Sequence, residues 1–327
     1  MKPDKPAGNR MPSALAGATG AGFAPRYLAA KKTIDDRALN RFVWAVLCQA
    51  LPQTTGTEPV HVLEIGAGIG TMLARIVDWG LLTGPATYVA TDCDGGHFRF
   101  ARDYLAAWAA ARGSSLSWSG EHCGRLRTAH ADISLVFEEV SAETLARRAA
   151  TRDTCHLLIA HAVLDLLDLS ATLPGLLAQL TQNGLAYLTC NFDGETLFLP
   201  SYPGEEELEI LRRYHASMEA RLAGASHTGR RLLTMLQRPG LELLAAGSSD
   251  WVIHPRSGGY AEDEVFFLHA LIATVAQELA GKSGPAPPGL AAWARSRHQQ
   301  VEAGTLSFWA RNLDFLARRQ PSSVPCN

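Results

Sequence analysis

The chain has no surplus of basic residues: 30 Lys and Arg stand against 32 Asp and Glu, for a net charge of −2. The electrostatic footprint of a duplex nucleic-acid binder is therefore missing, and Arg147-Arg148 and Arg212-Arg213 read as solvated helix faces. Cysteine is sparse, six in 327 residues, and none stands in a Cys-x-x-Cys or a Cys/His pattern with metal spacing. That argues against a structural zinc, and no metal is expected. A chain of this size does not need disulfides, so reduced thiols in a cytoplasm are the simplest expectation. No run reaches the roughly 20 apolar residues that span a bilayer, so no membrane partner is expected. The nearest candidate, residues 265–280, is too short and ends amphipathically. Residues 1–25 are rich in Ala, Gly and Pro and lack the apolar core of a signal peptide, which predicts a flexible tail. There is no internal repeat.

What is present is an alternation. With 47% hydrophobic and 19% charged residues the chain can bury a core. Residues 26–51 carry an apolar stripe at helical spacing, Leu39, Val43, Val46 and Leu47. Short apolar runs then follow at 60–65, 86–92, 126–133, 155–163 and 184–193, with helical patterns between them, including one at 138–150. Strands alternating with helices predict βαβ units and a parallel sheet covered on both faces, with ligands bound where the strands end. Helical patterns return at 205–222, 228–236, 262–280 and 289–303, with an extended stretch at 241–255 and a last strand at 304–317.

The stretch "VLEIGAGIG" (62–70) places Gly66, Gly68 and Gly70 between a strand and a helix. The first glycine permits a tight turn and the second clears side chains where a ligand would lie on backbone. A dinucleotide fingerprint needs its third glycine at position 71, which is Thr71, and Glu64 at the strand end would repel a pyrophosphate. Local electrostatics favour a zwitterionic or cationic ligand, and disfavour a nicotinamide-dependent oxidoreductase. Asp92 ends the second strand, where a carboxylate can accept both ribose hydroxyls. Asp132 ends the third, where it can accept from an adenine amine with Ile133 beside the ring.

Taken together, "VLEIGAGIG", "VATD", "ADI" and "LLIAHAVLDLL" resemble the successive motifs of class I S-adenosylmethionine-dependent methyltransferases over about residues 60–195. The resemblance implies an α/β, Rossmann-like sheet of seven mostly parallel strands, the last antiparallel, with helices on both faces and S-adenosylmethionine as cosubstrate. It implies that Gly66, Ala67, Gly68 and Gly70 line the methionine portion, that Glu64 faces its ammonium, and that Asp92, followed by Cys93, takes the ribose. Asp132 and Ile133 would take the adenine. The expected organisation is a tail over 1–25, an N-terminal helical lid over 26–55, and a methyltransferase domain over 56–320. Helical cap insertions fall at about 195–230 and 256–303.

Methyl transfer from a sulfonium needs alignment more than covalent help, so catalytic signatures are expected to be weak. His161, at the end of the fourth strand, is a candidate base or cofactor contact, against a structural histidine. Asn191 and Asp193, at the end of the fifth, are candidate catalytic and acceptor-binding residues, against a turn at Asp193-Gly194. Asp165 is a candidate for an acceptor amine or for orienting His161, against a helix N-terminal carboxylate. Arg37 is a further acceptor candidate, for a carboxylate, against a helix-surface salt bridge with Asp36 or a neighbour; His227 and Trp251, with His215, His254 and Tyr260 as aromatic or titratable walls, are others, each against packing or surface exposure. No Asn-Pro-Pro-Tyr-like string follows the fourth strand, which counts against adenine-N6 and glutamine methylation. The expected partner is a small-molecule acceptor. A homodimer is one open option for assembly. Two rivals remain: an aminoalkyl transferase or cyclase that releases methylthioadenosine, and a non-catalytic S-adenosylmethionine-binding protein.

Overall fold

Val60–Ile65 (β1) is apolar on both faces, which suits the middle of a sheet covered on both sides. In the computed structural model, which describes residues 24–51, 58–222, 224–281 and 285–321, β1 sits there. It pairs in parallel with Gly84–Asp92 (β2) on one side and Cys155–His161 (β6) on the other. Beyond β2 come Ala131–Glu139 (β5) and an antiparallel hairpin of Ser115–Trp118 (β3) and Cys123–Arg127 (β4). Beyond β6 come Leu180–Leu199 (β7), Ser307–Arg319 (β10) and Leu241–Ser248 (β8). The seven strands from β5 to β8 are parallel except β10, the last in sequence, as the resemblance implies. The hairpin and the short Trp251–Ile253 strand (β9) are additions. The tail expected over 1–25 lies, up to residue 23, outside the described residues, as do 52–57 and 282–284.

Period-two alternation sorts the sheet's side chains to two faces. Val62, Tyr88 and Ile159 pack under Arg41–Ala50 (α2), Thr71–Asp78 (α3) and Gly96–Ala111 (α4). Leu63, Leu158 and Leu188 pack under Ala142–Arg147 (α5), Leu169–Leu177 (α6) and Thr228–Met235 (α8). A third cluster lies above the sheet's carboxyl edge. β7 and β10 run on past the last pairing with β6, at Thr189, as an arm that bears Phe198 and Phe308 and that β9 joins along β10. On that arm pack Pro25–Ala38 (α1), Glu206–Arg221 (α7), Glu264–Gly281 (α9) and Leu290–Glu302 (α10). The fifth strand is thus longer than the expected 184–193, because "GETLFL" keeps alternating. Of the stretch read as a lid, α2 joins the main core and only α1 covers the edge. Asn40 separates them, its side chain capping α2 at the N–H groups of Phe42 and Val43.

One strand is displaced from its expected place. The sequence reading runs a strand over 126–133, ends it at Asp132 and puts a helix at 138–150. In the structure β4 stops at Arg127, residues 128–130 turn, and β5 starts at Ala131. Ile133, Leu135 and Phe137 are all buried, so "ISLVFEE" is strand to Glu139. The helix begins only after Ser141, whose hydroxyl caps the N–H of Thr144.

Candidate functional site

The parallel strands end at one edge, and the loops that follow them line a cavity of about 550 Å³. Its floor is the glycine turn after β1, Asp92–Asp94, Val140–Glu143, His161–Val163 and Asp165–Leu167. Its roof comes from α1, α7 and α9, and its far wall from Cys190 and Phe192 of β7. Such a volume falls within the roughly 300–1,000 Å³ of small-molecule sites.

The glycine turn is demanded by backbone shape. Gly66, Gly68 and Gly70 have φ of 68°, 53° and 80°, where L side chains are strained. A Cβ at Gly66 would lie 2.6 Å from Val163, and one at Gly68 3.0 Å from Leu28. Gly68 lines the cavity, and its missing side chain also makes room for Leu28 of α1. Gly70 starts α3 and does not line the cavity, so its expected place beside a ligand is not kept, whereas Ala67 and Cys93 do line it. Asp92 is buried and accepts the N–H groups of Gly68 (2.8 Å) and Asp94 (2.9 Å). Burial works to raise its pKa, but His97 and these two N–H groups outweigh it and hold the carboxyl below its ordinary range. Glu64 is buried at the end of β1 and accepts from the Tyr88 hydroxyl at 2.6 Å. Burial pushes its pKa up to about 7. A buried, half-ionised carboxyl beside a cavity is suited to a cation.

Asp132 and Ile133 are not in this site. Register pairs Asp132 with Pro85 and Glu139 with Asp92, so Asp132 lies at the opposite end of β5. It bonds Arg125 at 2.6 Å on the surface, and Ile133 is core. The strand end that reaches the cavity is followed by Val140–Glu143. Asp132→Ala is expected to leave cofactor affinity unchanged and shift stability by no more than about 0.5 kcal/mol. A titration and a melt of the variant check this.

His161 does reach the cavity, but its nitrogens are both engaged. Nε2 is 2.9 Å from Asp35 Oδ2 and Nδ1 is 2.8 Å from the Thr189 hydroxyl. Asp35, also buried, takes Lys31 Nζ at 2.7 Å and Trp251 Nε1 at 3.0 Å, with Cys190 Sγ at 3.9 Å. Burial opposes ionisation of Asp35, yet Lys31 and His161 together hold its pKa well below the usual carboxylate range. Burial pushes His161 down to about 4 against the pull of Asp35. The histidine is therefore neutral, Nε2 donates to Asp35, and Nδ1 accepts from Thr189. It has no lone pair left for a substrate proton, which corrects its reading as a base.

Asp35, His161 and Cys190 also place three ligand-type atoms within 4.8 Å of one another, a cluster that no local spacing betrays. Lys31 already occupies an oxygen of Asp35, and burial holds the Cys190 thiol protonated. Both disfavour a cation there.

Cys190 and Phe192 face the cavity, so the alternating Asn191 and Asp193 face away. Asn191 donates to the carbonyl of Leu313 at 2.9 Å. Asp193 braces the start of α8, taking the N–H and Nε of Arg230, both at 2.9 Å. Neither fits its expected catalytic or acceptor-binding role. Arg37 pairs with buried Glu264 and pins α1 to α9, and His227 sits at the start of α8 against Ser226. Both lie outside the cavity, as do His215, His254 and Tyr260. Asp165 and Trp251 line it. Sequence reasoning missed Tyr27, Lys31 and Asp35. Their i, i+4, i+8 spacing puts them on one face of α1, a signal that was available.

No family model matches the chain, and no curated protein matches its sequence. Among solved structures it is similar to YjhP from E. coli, at 12% identity over 91% of this chain and all (100%) of that one, with a TM-score of 0.43. It is also similar to the geranyl diphosphate C-methyltransferase of Streptomyces coelicolor A3(2), at 11% identity over 84% and 77%, with a TM-score of 0.39. A third is the [4+2]-cyclase SpnF, at 14% identity over 84% and 81%, with a TM-score of 0.39. These are likenesses of chain layout.

Proposed function

We propose that the protein is an S-adenosylmethionine-dependent methyltransferase acting on a small molecule. One observation carries the reading: a single cavity joins two unlike ends. One end holds the glycine turn with buried Glu64 and Asp92, and the other is lined by the rings of Tyr27, Phe192, Tyr214 and Trp251. Glu64 suits the ammonium of an amino-acid moiety, and Asp92 keeps acceptor capacity for ribose hydroxyls beyond its two backbone partners and His97. Val140–Glu143 stand where β5 delivers a wall for the base. Bound there, S-adenosylmethionine supplies an activated methyl group on a sulfonium. The chain's own contribution is to orient both molecules and to exclude water under α1, α7 and α9.

Binding is expected to be pH-dependent through Glu64. Its carboxyl titrates near 7 in the free cavity and must be ionised to hold an ammonium. Affinity should therefore rise roughly tenfold from pH 5.5 to pH 7, before the ligand's own α-amino group titrates. Calorimetry in buffers of differing ionisation enthalpy reads the accompanying proton release. A flat profile would remove Glu64 from the ammonium site. The reaction itself is tested by product analysis with labelled S-adenosylmethionine. S-adenosylhomocysteine is expected; methylthioadenosine would mean aminoalkyl transfer or cyclisation, and absence of any binding would mean a different ligand.

A further inference from the structure

Above the glycine turn, the cavity's acceptor end holds one acid left without a side-chain partner. Asp165 sits on the short turn Leu164–Leu166 after β6 and lines the cavity opposite Tyr214 and Arg221 of α7. Among the described residues no side chain hydrogen-bonds or ion-pairs with it. The cations that line the same space have acids of their own: Lys31 is 2.7 Å from Asp35, and Arg221 is 3.7 Å from Glu278. Of the other groups that might take a proton here, His161 has both nitrogens occupied. Cys190 gives its thiol to Asp35, and Asp35 is saturated by its donors. Asp165, bonded only by backbone N–H, keeps acceptor capacity to spare and lines the cavity with Tyr27 and Tyr214.

We propose that the methyl acceptor is a protonatable amine on an aromatic or alkyl body, held and deprotonated by Asp165 beside Tyr27 and Tyr214. The inference rests on the reading of the protein as a methyltransferase. An ammonium would meet the carboxylate and the faces of the rings together, and both attract it. Burial raises the pKa of Asp165, which helps it accept the proton. The balance is simple. The ammonium passes one proton to the carboxylate and becomes a neutral amine. The nitrogen lone pair then forms the N–C bond as the methyl's C–S bond breaks, and that bonding pair stays on sulfur. The product is a methylated ammonium, and the proton on Asp165 leaves to solvent as the site empties.

The test is a thermal-shift and calorimetric series with methylamine, benzylamine, phenethylamine and tryptamine, each beside its isosteric alcohol, and with phenylacetate. It is run with and without S-adenosylhomocysteine. At least one amine is expected to bind and to outdo its alcohol. Asp165→Asn should weaken that amine roughly ten- to a hundredfold while keeping the shift given by S-adenosylhomocysteine, which also reports that the variant is folded. Four results would overturn the proposal. One is binding of phenylacetate in preference to every amine, which would assign the site to Lys31. Another is an amine response unchanged in Asp165→Asn, or no amine response at all. The last is Asp165→Asn weakening S-adenosylmethionine but not S-adenosylhomocysteine, which would make Asp165 the counter-charge of the sulfonium. Wild-type protein that ignores both cofactor forms defeats the methyltransferase reading instead, and the ligand-free arm still decides between amine and alcohol.

Discussion

Asp35→Ala is expected to cost about 3–5 kcal/mol of folding stability, as when one member of a buried ion pair is removed. The variant leaves the Lys31 ammonium 11% exposed with no counter-ion. It also orphans the N–H groups of His161 Nε2 and Trp251 Nε1, both of which now point at Asp35. For a chain of this length the loss corresponds to a fall in Tm of roughly 5–8 °C. A double variant, Asp35→Asn with Lys31→Met, should recover most of the loss, because no charge then stays buried unpaired. A calorimetric melt of Asp35→Ala that overlays the wild type would show the network to be ornamental. The same network predicts acid sensitivity. His161 is depressed to about 4, below its unfolded value near 6.5, so it contributes stability above pH 6.5 that is lost as pH falls toward 4. Asp35, also depressed, contributes above the ordinary carboxylate range and loses that contribution only at still lower pH.

Asp92→Ala is expected to weaken S-adenosylmethionine binding by about 1–3 kcal/mol, roughly five- to 150-fold. Two effects act together: lost hydrogen bonds to ribose hydroxyls, and release of the Gly68 N–H that fixes the glycine turn. Asp92→Asn separates them. Its remaining carbonyl oxygen can still take the Gly68 N–H, so a loss in this variant close to that of alanine would point to the ribose contacts. Isothermal titration of folded variants measures both. Unchanged affinity in Asp92→Ala would take Asp92 out of the site.

Much of the cofactor end was legible because it is local. A buried strand, a turn that needs positive φ at three glycines, and an acid at the end of the next strand are all written within short windows. Asp132 shows where such reading stops. "HADI" resembles a strand end, but the hairpin turn at 128–130 makes it a strand beginning. Pairing with β2 and burial of Ile133, Leu135 and Phe137 decide the matter. Asn191 and Asp193 show a second limit. Alternation says that they share a face; only the bulge in β7, at the left-handed Cys190 with φ of 53°, decides which face looks into the cavity.

By itself, then, the sequence determined the βαβ order, the glycine turn, and the acids Glu64 and Asp92, since strand period and turn chemistry act over a few residues. Tertiary structure alone decided what His161 does. Its partner, Asp35, lies 126 positions away on a helix that the local pattern marks as an ordinary salt-bridged surface. Folding carries that helix over the sheet edge and buries its Tyr27–Lys31–Asp35 face. Desolvation there turns a candidate base into a neutral strut and leaves Asp165, among the described residues, with no side-chain partner at the aromatic end of the cavity.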